Sequence, residues 1–437
     1  APQYTFRGFE ALPEDPGNPD PDKFYGFVFQ DTDFSKWSVV ACDQYSSEPE
    51  YWQSVAEYVG DAPSTLKVIF PEAYLNDGES YKRIKRINAE MRRYLKGGLF
   101  REYRDSLIYV ERTQRDGRVR HGIVGAIDLE HYEYFKGSQS LIRATEGTIL
   151  DRIPPRQRIR RGAAMELPHI IMLIDDRHRR VVESVAARRD ELETIYDFDL
   201  MQGGGHIKGR LLDQQAKDTV SAGLKALTTA SELREKYGSA KAEPLIYAVG
   251  DGNHSLATAK ACWREIKQKL SPKERETHPA RFALVELMNL HDEALEFEPI
   301  YRVAFGVDPE DVVSELFEYY LQASVIPDEE GQKITIVRNG EETPVYIKDA
   351  PSYLAVGTLQ AFLDDYVEKH GGEIDYIHGA DVVRNLSRKN NTVGFIYDGL
   401  QKNDLFQTVI KDGALPRKTF SMGEAHDKRY YLEAKRI

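Results

Sequence analysis

Apolar positions along the chain switch repeatedly between a spacing of two and a spacing of three to four, the pattern of strands interleaved with helices. P-E-Y-W-Q-S-V-A-E-Y-V and a longer stretch from Ser80 to Leu95 are rich in good helix formers and predict helices. S-L-I-Y-V-E-R-T and H-G-I-V-G-A-I-D-L flank R-D-G-R, an Asp-Gly signal that predicts a hairpin. Further strands are predicted at G-F-V-F-Q, W-S-V-V-A-C, P-H-I-I-M-L-I-D-D, P-L-I-Y-A-V, R-F-A-L-V-E-L-M-N-L and E-F-E-P-I-Y-R-V, with a helical pattern from Asp213 to Tyr237. The cluster Q-G-G-G-H-I-K-G lacks the G-K-[ST] of a phosphate loop, and the apolar residues on either side of it predict a hairpin turn. A fresh series of elements opens at V-D-P-E-D-V-V-S-E-L-F, continuing through strands near K-I-T-I-V-R and T-V-G-F-I-Y-D. The expected fold class is therefore α+β (mixed α/β), with a large domain over 1–304 and a smaller α+β domain over 305–437.

Composition narrows the setting. With 437 residues, 41% hydrophobic and 30% charged, the chain is that of a soluble globular protein with material for more than one core. A net charge of −12 argues against a general nucleic-acid binder, whose affinity comes mostly from phosphate neutralisation. Cys42 and Cys262 are too few and too distant for a disulfide framework or a thiolate metal site, and a reducing cytoplasm is expected. The opening A-P-Q-Y-T-F-R-G-F has no basic and apolar regions of a secretory signal, and the longest apolar stretch is broken by Glu166, Pro168 and His169. E-D-P-G-N-P-D-P-D-K has the composition of a solvated loop.

The candidate chemistry concentrates in Y-A-V-G-D-G-N-H-S-L-A-T-A-K, Tyr247 to Lys260. Leu256, Ala259, Trp263, Ile266 and Leu270 follow at helical spacing, so the motif lies where a strand turns into a helix. The first N–H groups of such a helix lack helical partners and carry partial positive charge, which favours an anion. Gly250 and Gly252 permit a tight turn and a close approach of phosphate to the backbone. Asp251 suits a Mg²⁺ or a substrate proton, and His254 a phosphate contact or a proton shuttle near neutral pH. A purely structural account of the same residues makes Asn253 the N-cap and the glycines turn residues.

D-G-N-H-S-L-A-T-A resembles the D-G-H-H-R-x-x-T-A signature of the DUF1015 proteins, an uncharacterised bacterial and archaeal family related to the ParB and sulfiredoxin group, which includes free-serine kinases. V-V-A-C-D-Q-Y is similar to that family's P-Y-D-V region, R-A-T-E-G-T to H-E-x-T, E-P-I-Y-R to P-T-H-R, and A-L-P-R-K-T-F to M-P-x-K-S-T. The chain departs from the pattern at Asn253, Ser255, Arg143 and Tyr301, where the family carries histidine, arginine, histidine and histidine.

The resemblance implies a ParB/sulfiredoxin-like core with elaborations and a phosphoryl-transfer site using Mg²⁺ with ATP or ADP and a small-molecule substrate such as serine. Asp43 and Asp251 are then metal ligands, and Glu146, Asp251 and His254 the catalytic groups. Gly250, Gly252, Asn253, Ser255, Arg143, Thr148, Arg302, Lys418 and Thr419 contact phosphate or nucleotide. A regulatory module that binds a nucleotide or anionic metabolite without turnover is the alternative. Six arginines lie between Arg143 and Arg161; the Arg152 to Arg161 run reads as a solvated loop before an anion funnel, Glu146 as a partner of one of the nearby arginines, His169 as a core histidine bonded to backbone, and His291 with Asp292 as no metal pair.

Overall fold

The computed structural model describes residues 6–7, 25–28, 32–103, 105–167, 169–238 and 245–437. The predicted loop at 14–23 lies outside the described residues. Two compact units result, one of residues 1–144, 148–295 and 423–437, the other of 145–147 and 296–422. The expected boundary at 304/305 falls inside the strand Phe297–Phe305, which pairs with Glu373–His378, Thr392–Tyr397 and Phe420–Met422 and so belongs wholly to the second unit. Near its end the chain re-enters the first unit, where Glu433–Arg436 pairs with Tyr25–Val28 and Met165–Glu166. Pairings between residues a hundred or more positions apart leave no periodic trace near the boundary, which is why local pattern misplaced it.

The fold is mixed α/β, as expected. Among the described residues, the main sheet of the first unit runs, in spatial order, through Glu193–Asp199, His206–Leu211, Ile108–Thr113, Val119–Asp128, Phe282–Asn289, Ile171–Ile174, Tyr247–Asp251, Ile142–Arg143 and Tyr132–Glu133. Both predicted hairpins form, around R-D-G-R and around the glycine cluster. The run W-S-V-V-A-C does not form a strand. Phe34–Trp37 is a short helix, and Val40 makes only an isolated bridge to Arg429.

Alternation along the central strands feeds two cores. Tyr109, Ile123, Ile127, Val285 and Leu287 face one side with Tyr247, Val249 and Trp263. Ile108, Val110, Val124, Ala126, Phe282 and Leu284 face the other with Trp37, Met91 and Tyr431. A strand covered on both faces needs apolar residues at odd and even positions alike, hence the continuous run F-A-L-V-E-L-M. Glu286, the exception, is buried and accepts a 2.8 Å hydrogen bond from the Tyr431 hydroxyl.

A second buried acid lies on the same face. Glu433 is 0% exposed, accepts a 2.6 Å bond from the Tyr196 hydroxyl, and its other oxygen has no partner. Burial pushes its carboxyl up to about 7, with Tyr196 opposing and Glu286 adding to the rise. A folded-state value above the unfolded one means that its contribution to stability is full below about pH 4.5 and is lost as pH rises through 7. Glu433→Gln is therefore expected to be more stable than the natural chain at pH 8.5, by up to about 3 kcal/mol, and nearly equal at pH 4.5. Urea titrations of both proteins at the two pH values measure this, and an equal difference at both would exclude the mechanism.

The second unit is built on a sheet ordered Ala323–Ser324, Glu341–Ile347, Gln332–Arg338, Thr392–Tyr397, Phe297–Phe305 and Glu373–His378, with Phe420–Met422 also on Phe297–Phe305. Helix Ala355–His370 covers it through Leu359, Phe362, Leu363 and Tyr366.

Candidate functional site

The motif forms the predicted strand-to-helix junction, Tyr247–Asp251 followed by Asn253–Lys267. Its strand end carries a register shift between Val249 and Asp251, at Gly250. Gly252, not Asn253, is the N-cap: its φ is +88°, and no side chain caps the helix. A Cβ there would stand 3.0 Å from Ile170 Cγ1, in a backbone region that L-residues avoid. Asn253 is instead the first helical residue. Leu256, Ala259 and Trp263 anchor the helix in the core, with Ile266 and Leu270 packed beside them.

Backbone pairing brings a distant segment to this turn. The N–H of Ala41 donates to Lys428 O at 2.8 Å and that of Tyr430 to Val39 O at 3.0 Å, so the stretch before Asp43 is zipped to Lys428–Tyr430. Lys428 thereby reaches Asp251, Nζ to Oδ2 at 2.9 Å, with both side chains about four-fifths buried. Burial works against the Lys428 charge, but Asp251, by attraction and hydrogen bonding, and Asp43 overcome it and hold the ammonium above its ordinary range. Burial likewise opposes the Asp43 carboxylate, yet His169, the Gln44 amide donating at 3.0 Å and Lys428 hold it below the usual carboxylate range. Asp43 is therefore ionised at neutral pH. Cys42, beside it, is pushed up to about 12, first by burial and then by Asp43, and is no nucleophile at neutral pH.

His169 completes the group in a way the sequence reading did not anticipate. It is bonded to a side chain rather than to backbone: Nε2 lies 2.9 Å from Ser255 Oγ, and the ring meets Tyr430 edge-on at 5.4 Å. Its Nδ1 is buried without a hydrogen-bond partner.

His254 differs from expectation. Its Nε2 accepts a 3.3 Å bond from the Ile149 N–H, and burial, Arg152 and Arg156 push it down to about 4 against the pull of Asp43. The ring is neutral near pH 7, with the proton on Nδ1, and does not shuttle protons there. In ¹⁵N–¹H spectra recorded from pH 4 to 8, His254 is expected to remain neutral above about pH 5; a midpoint between 6 and 7 would contradict the geometry.

The arginine run is also corrected, forming the helix Ile153–Arg161 rather than a loop. Arg156 pairs with Glu72, Arg160 with Glu166 at 2.8 Å and Arg161 with Glu265 at 2.7 Å. Carboxylates thus answer much of its charge.

The remaining candidates are spread over both units. In the first, Arg143 is buried and its Nε donates to Ser140 O at 2.8 Å, while Thr148 Oγ1 makes a long 3.4 Å bond to Tyr134 O. In the second, Glu146 bridges Leu415 through its backbone. Arg302 is fully buried and donates to the carbonyls of Ile300, Lys418 and Arg417 and to Gln360 Oε1, each at 2.8 or 2.9 Å. Thr419 is buried and gives its hydroxyl to Pro416 O at 2.6 Å. Lys418 lies over the Tyr376 ring, 4.9 Å from its centre. Arg302 and Thr419 are thus bonded within their own unit, which accounts for both without a phosphate.

The groups the sequence reading missed are Lys428 and His169. Lys428 sits in H-D-K-R-Y-Y, where nothing in the local pattern sets it apart from Lys418 or Lys435. Two carboxylates beside a lysine suit Mg²⁺, which keeps several waters and takes one or two carboxylates plus phosphate oxygens. Among the described residues, the groups of three ligating side chains close enough to share an ion are His178, Glu232 and Glu235, and Asp311, Glu315 and His370. Asp43 and Asp251 are in neither. Among the described residues, no helix is long and apolar enough to cross a membrane. His291 bonds Asp175 and Asp292 bonds His121.

Fold and site together define a mixed α/β protein with a carboxylate–lysine cluster at a glycine-capped strand-to-helix turn. The chain matches, over residues 24–370, the family described as "Protein of unknown function (DUF1015)", and it belongs to that family. No curated protein matches it. Remote structural likeness extends to a conserved hypothetical protein from Pyrococcus furiosus (11% identity, 71% of this chain and 94% of that one, TM-score 0.33). It extends also to SbnI with C-terminal truncation from Staphylococcus aureus (11%, 69% and 82%, TM-score 0.35) and to a free serine kinase in complex with AMP (12%, 70% and 90%, TM-score 0.36).

Proposed function

We propose that the first unit binds a Mg²⁺-nucleotide, ATP or ADP, at the Gly252 turn and transfers its terminal phosphoryl group to the hydroxyl of a small molecule. The observation that carries this reading is Lys428, held charged by Asp251 and Asp43 beside a helix start that no side chain caps. A cation, the N–H groups of a helix start and ionised carboxylates are the parts that phosphoryl transfer needs, because its catalysis is mostly positioning and electrostatics. Lys428 and the N–H groups after Gly252 hold phosphate oxygens; Asp251 and Asp43 hold the metal. The acceptor oxygen bonds to the terminal phosphorus, the bond from phosphorus to the bridging oxygen breaks, and the hydroxyl proton passes to solvent.

A second reading, nucleotide or anionic-metabolite sensing without turnover, is favoured by one observation: four groups at the site shift away from neutrality. His254 falls to about 4 and Cys42 rises to about 12, while Asp43 moves down and Lys428 up. These four groups are therefore not poised for proton transfer at pH 7.

Calorimetric titration with MgATP and MgADP, followed by ³¹P spectra in the presence of a panel of alcohols and hydroxy amino acids, separates the two. Binding with a new phosphate ester supports the kinase. Binding with nucleotide recovered unchanged supports the sensor, and binding of neither nucleotide overturns the kinase and nucleotide sensing alike.

A further inference from the structure

A cavity of about 160 Å³ opens beside the carboxylate–lysine cluster, wholly within the first unit, and its lining includes Cys42, His169 and Ser255 from the site itself. Its walls are apolar: Val68, Phe70, Leu75, Met91, Ile159 and Leu167. Protein interiors pack closely, and a void of this size set against a ligand-ready cluster has the form of a binding pocket.

The charged groups in the lining are already matched. Arg156 pairs with Glu72, Arg160 with Glu166, and Lys435 reaches Glu166 from behind at 3.3 Å. An occupant bearing a carboxylate or an ammonium would have to break one of these pairs, and each pair half-opened would leave a charge in a poorly solvated place. A zwitterion such as free serine, which needs partners for both its charges, is disfavoured on that ground. The polar function still on offer is a hydrogen bond at the His169–Ser255 pair, which stands in the lining with Nε2 and Oγ 2.9 Å apart.

We propose that this cavity is the acceptor pocket and takes an uncharged alcohol whose apolar body is a single ring or a chain of about six to eight carbons, the occupant matched to an apolar cavity of this size. The hydroxyl is set toward His169 and Ser255, on the side where Asp43 and Lys428 stand. This rests on the phosphoryl-transfer reading above, and it moves the substrate class from hydroxy amino acids to apolar alcohols.

The test uses the full chain with benzyl alcohol, 1-hexanol and L-serine as probes, with binding measured by ligand-observed NMR and with MgADP titrated separately. Both alcohols are expected to bind saturably and serine not at all. Ala163→Phe, which fills the cavity from its lining, is expected to weaken benzyl alcohol by about tenfold or more while MgADP affinity is kept. Met91→Ala enlarges the cavity and is expected to shift preference toward 4-phenyl-1-butanol over benzyl alcohol by about fivefold or more; it decides the matter if Ala163→Phe does not fold. Failure of both alcohols to bind overturns the proposal, as does serine binding more tightly than either. A folded Ala163→Phe protein with unchanged benzyl alcohol affinity overturns it too. Alcohols that bind where MgADP does not would sustain the pocket and remove the kinase; MgADP binding without the alcohols would do the reverse.

Discussion

Lys428→Met is expected to weaken MgADP binding by about a hundredfold or more, the loss that follows from truncating one member of a largely buried, hydrogen-bonded charge cluster. The lysine contributes in two ways. Its Nζ lies 2.9 Å from Asp251 Oδ2 and also acts electrostatically on Asp43, so it neutralises two carboxylates that would otherwise repel a phosphate. It is, besides, the cation that the phosphate itself meets. With methionine in place, Asp251 loses this ion pair and Asp43 is left with His169 and Gln44. Lys428→Arg keeps the charge and is expected to recover part of the affinity, because the guanidinium can reach Asp251 but presents a different donor geometry. Calorimetry on folded proteins, checked by melting temperature, measures both variants. An affinity for Lys428→Met within threefold of the natural chain would remove Lys428 from the site. Asp251→Asn separates metal from phosphate: it is nearly isosteric and is expected to abolish Mg²⁺-dependent binding while leaving the fold intact.

The second large effect lies in the other unit and concerns stability rather than binding. Arg302→Met is expected to destabilise the second unit by about 3–5 kcal/mol, the range for breaking a buried network around a charged group. Arg302 is 0% exposed and ties strand Phe297–Phe305 to the Arg417–Lys418 segment through two carbonyls, with Ile300 O, Gln360 and the Tyr397 hydroxyl completing its shell. Methionine leaves the Arg417 and Lys418 carbonyls without this donor. Ile300 O keeps its 2.6 Å bond from Tyr397, which limits the loss. Amide exchange across 296–422 reads this directly, and lost protection with unchanged MgADP affinity is the expected pair of results. Weakened nucleotide binding with full protection would instead place Arg302 among the ligand contacts that the family resemblance implies.

Local features carried much of this protein. The helix Pro49–Val59 coincides with its sequence pattern, and Ser80–Lys96 extends the expected helix by one residue. The two hairpins and the turn at Gly252 followed from short-range rules: an Asp-Gly pair, a glycine cluster between alternating apolar residues, and a strand pattern giving way to a helical one. W-S-V-V-A-C failed because its β-branched run is buried without a ladder, Val40 making only one bridge. The arginine run failed because its charge suggested solvent, whereas Glu72, Glu166 and Glu265 from distant segments receive it. Residue type favours Asn253 as the cap, but the glycine before it takes the left-handed conformation that the turn requires.

The candidate site divides along the same line. Asp251, His254 and Ser255 lie within five consecutive residues, and a strand-to-helix turn makes them neighbours whatever the rest of the chain does. That Asp43 and Lys428 join them is decided by backbone bonds between Val39–Ala41 and Lys428–Tyr430, almost four hundred residues apart. Protonation is decided the same way: the sequence offers a histidine that would titrate near neutrality in water, and burial beside Arg152 and Arg156 lowers it to about 4. The sequence by itself thus determined the elements, the turn and the kind of chemistry available. Only the tertiary structure decided which charges meet, because Coulomb and desolvation energies depend on distances and burial that a one-dimensional pattern does not contain.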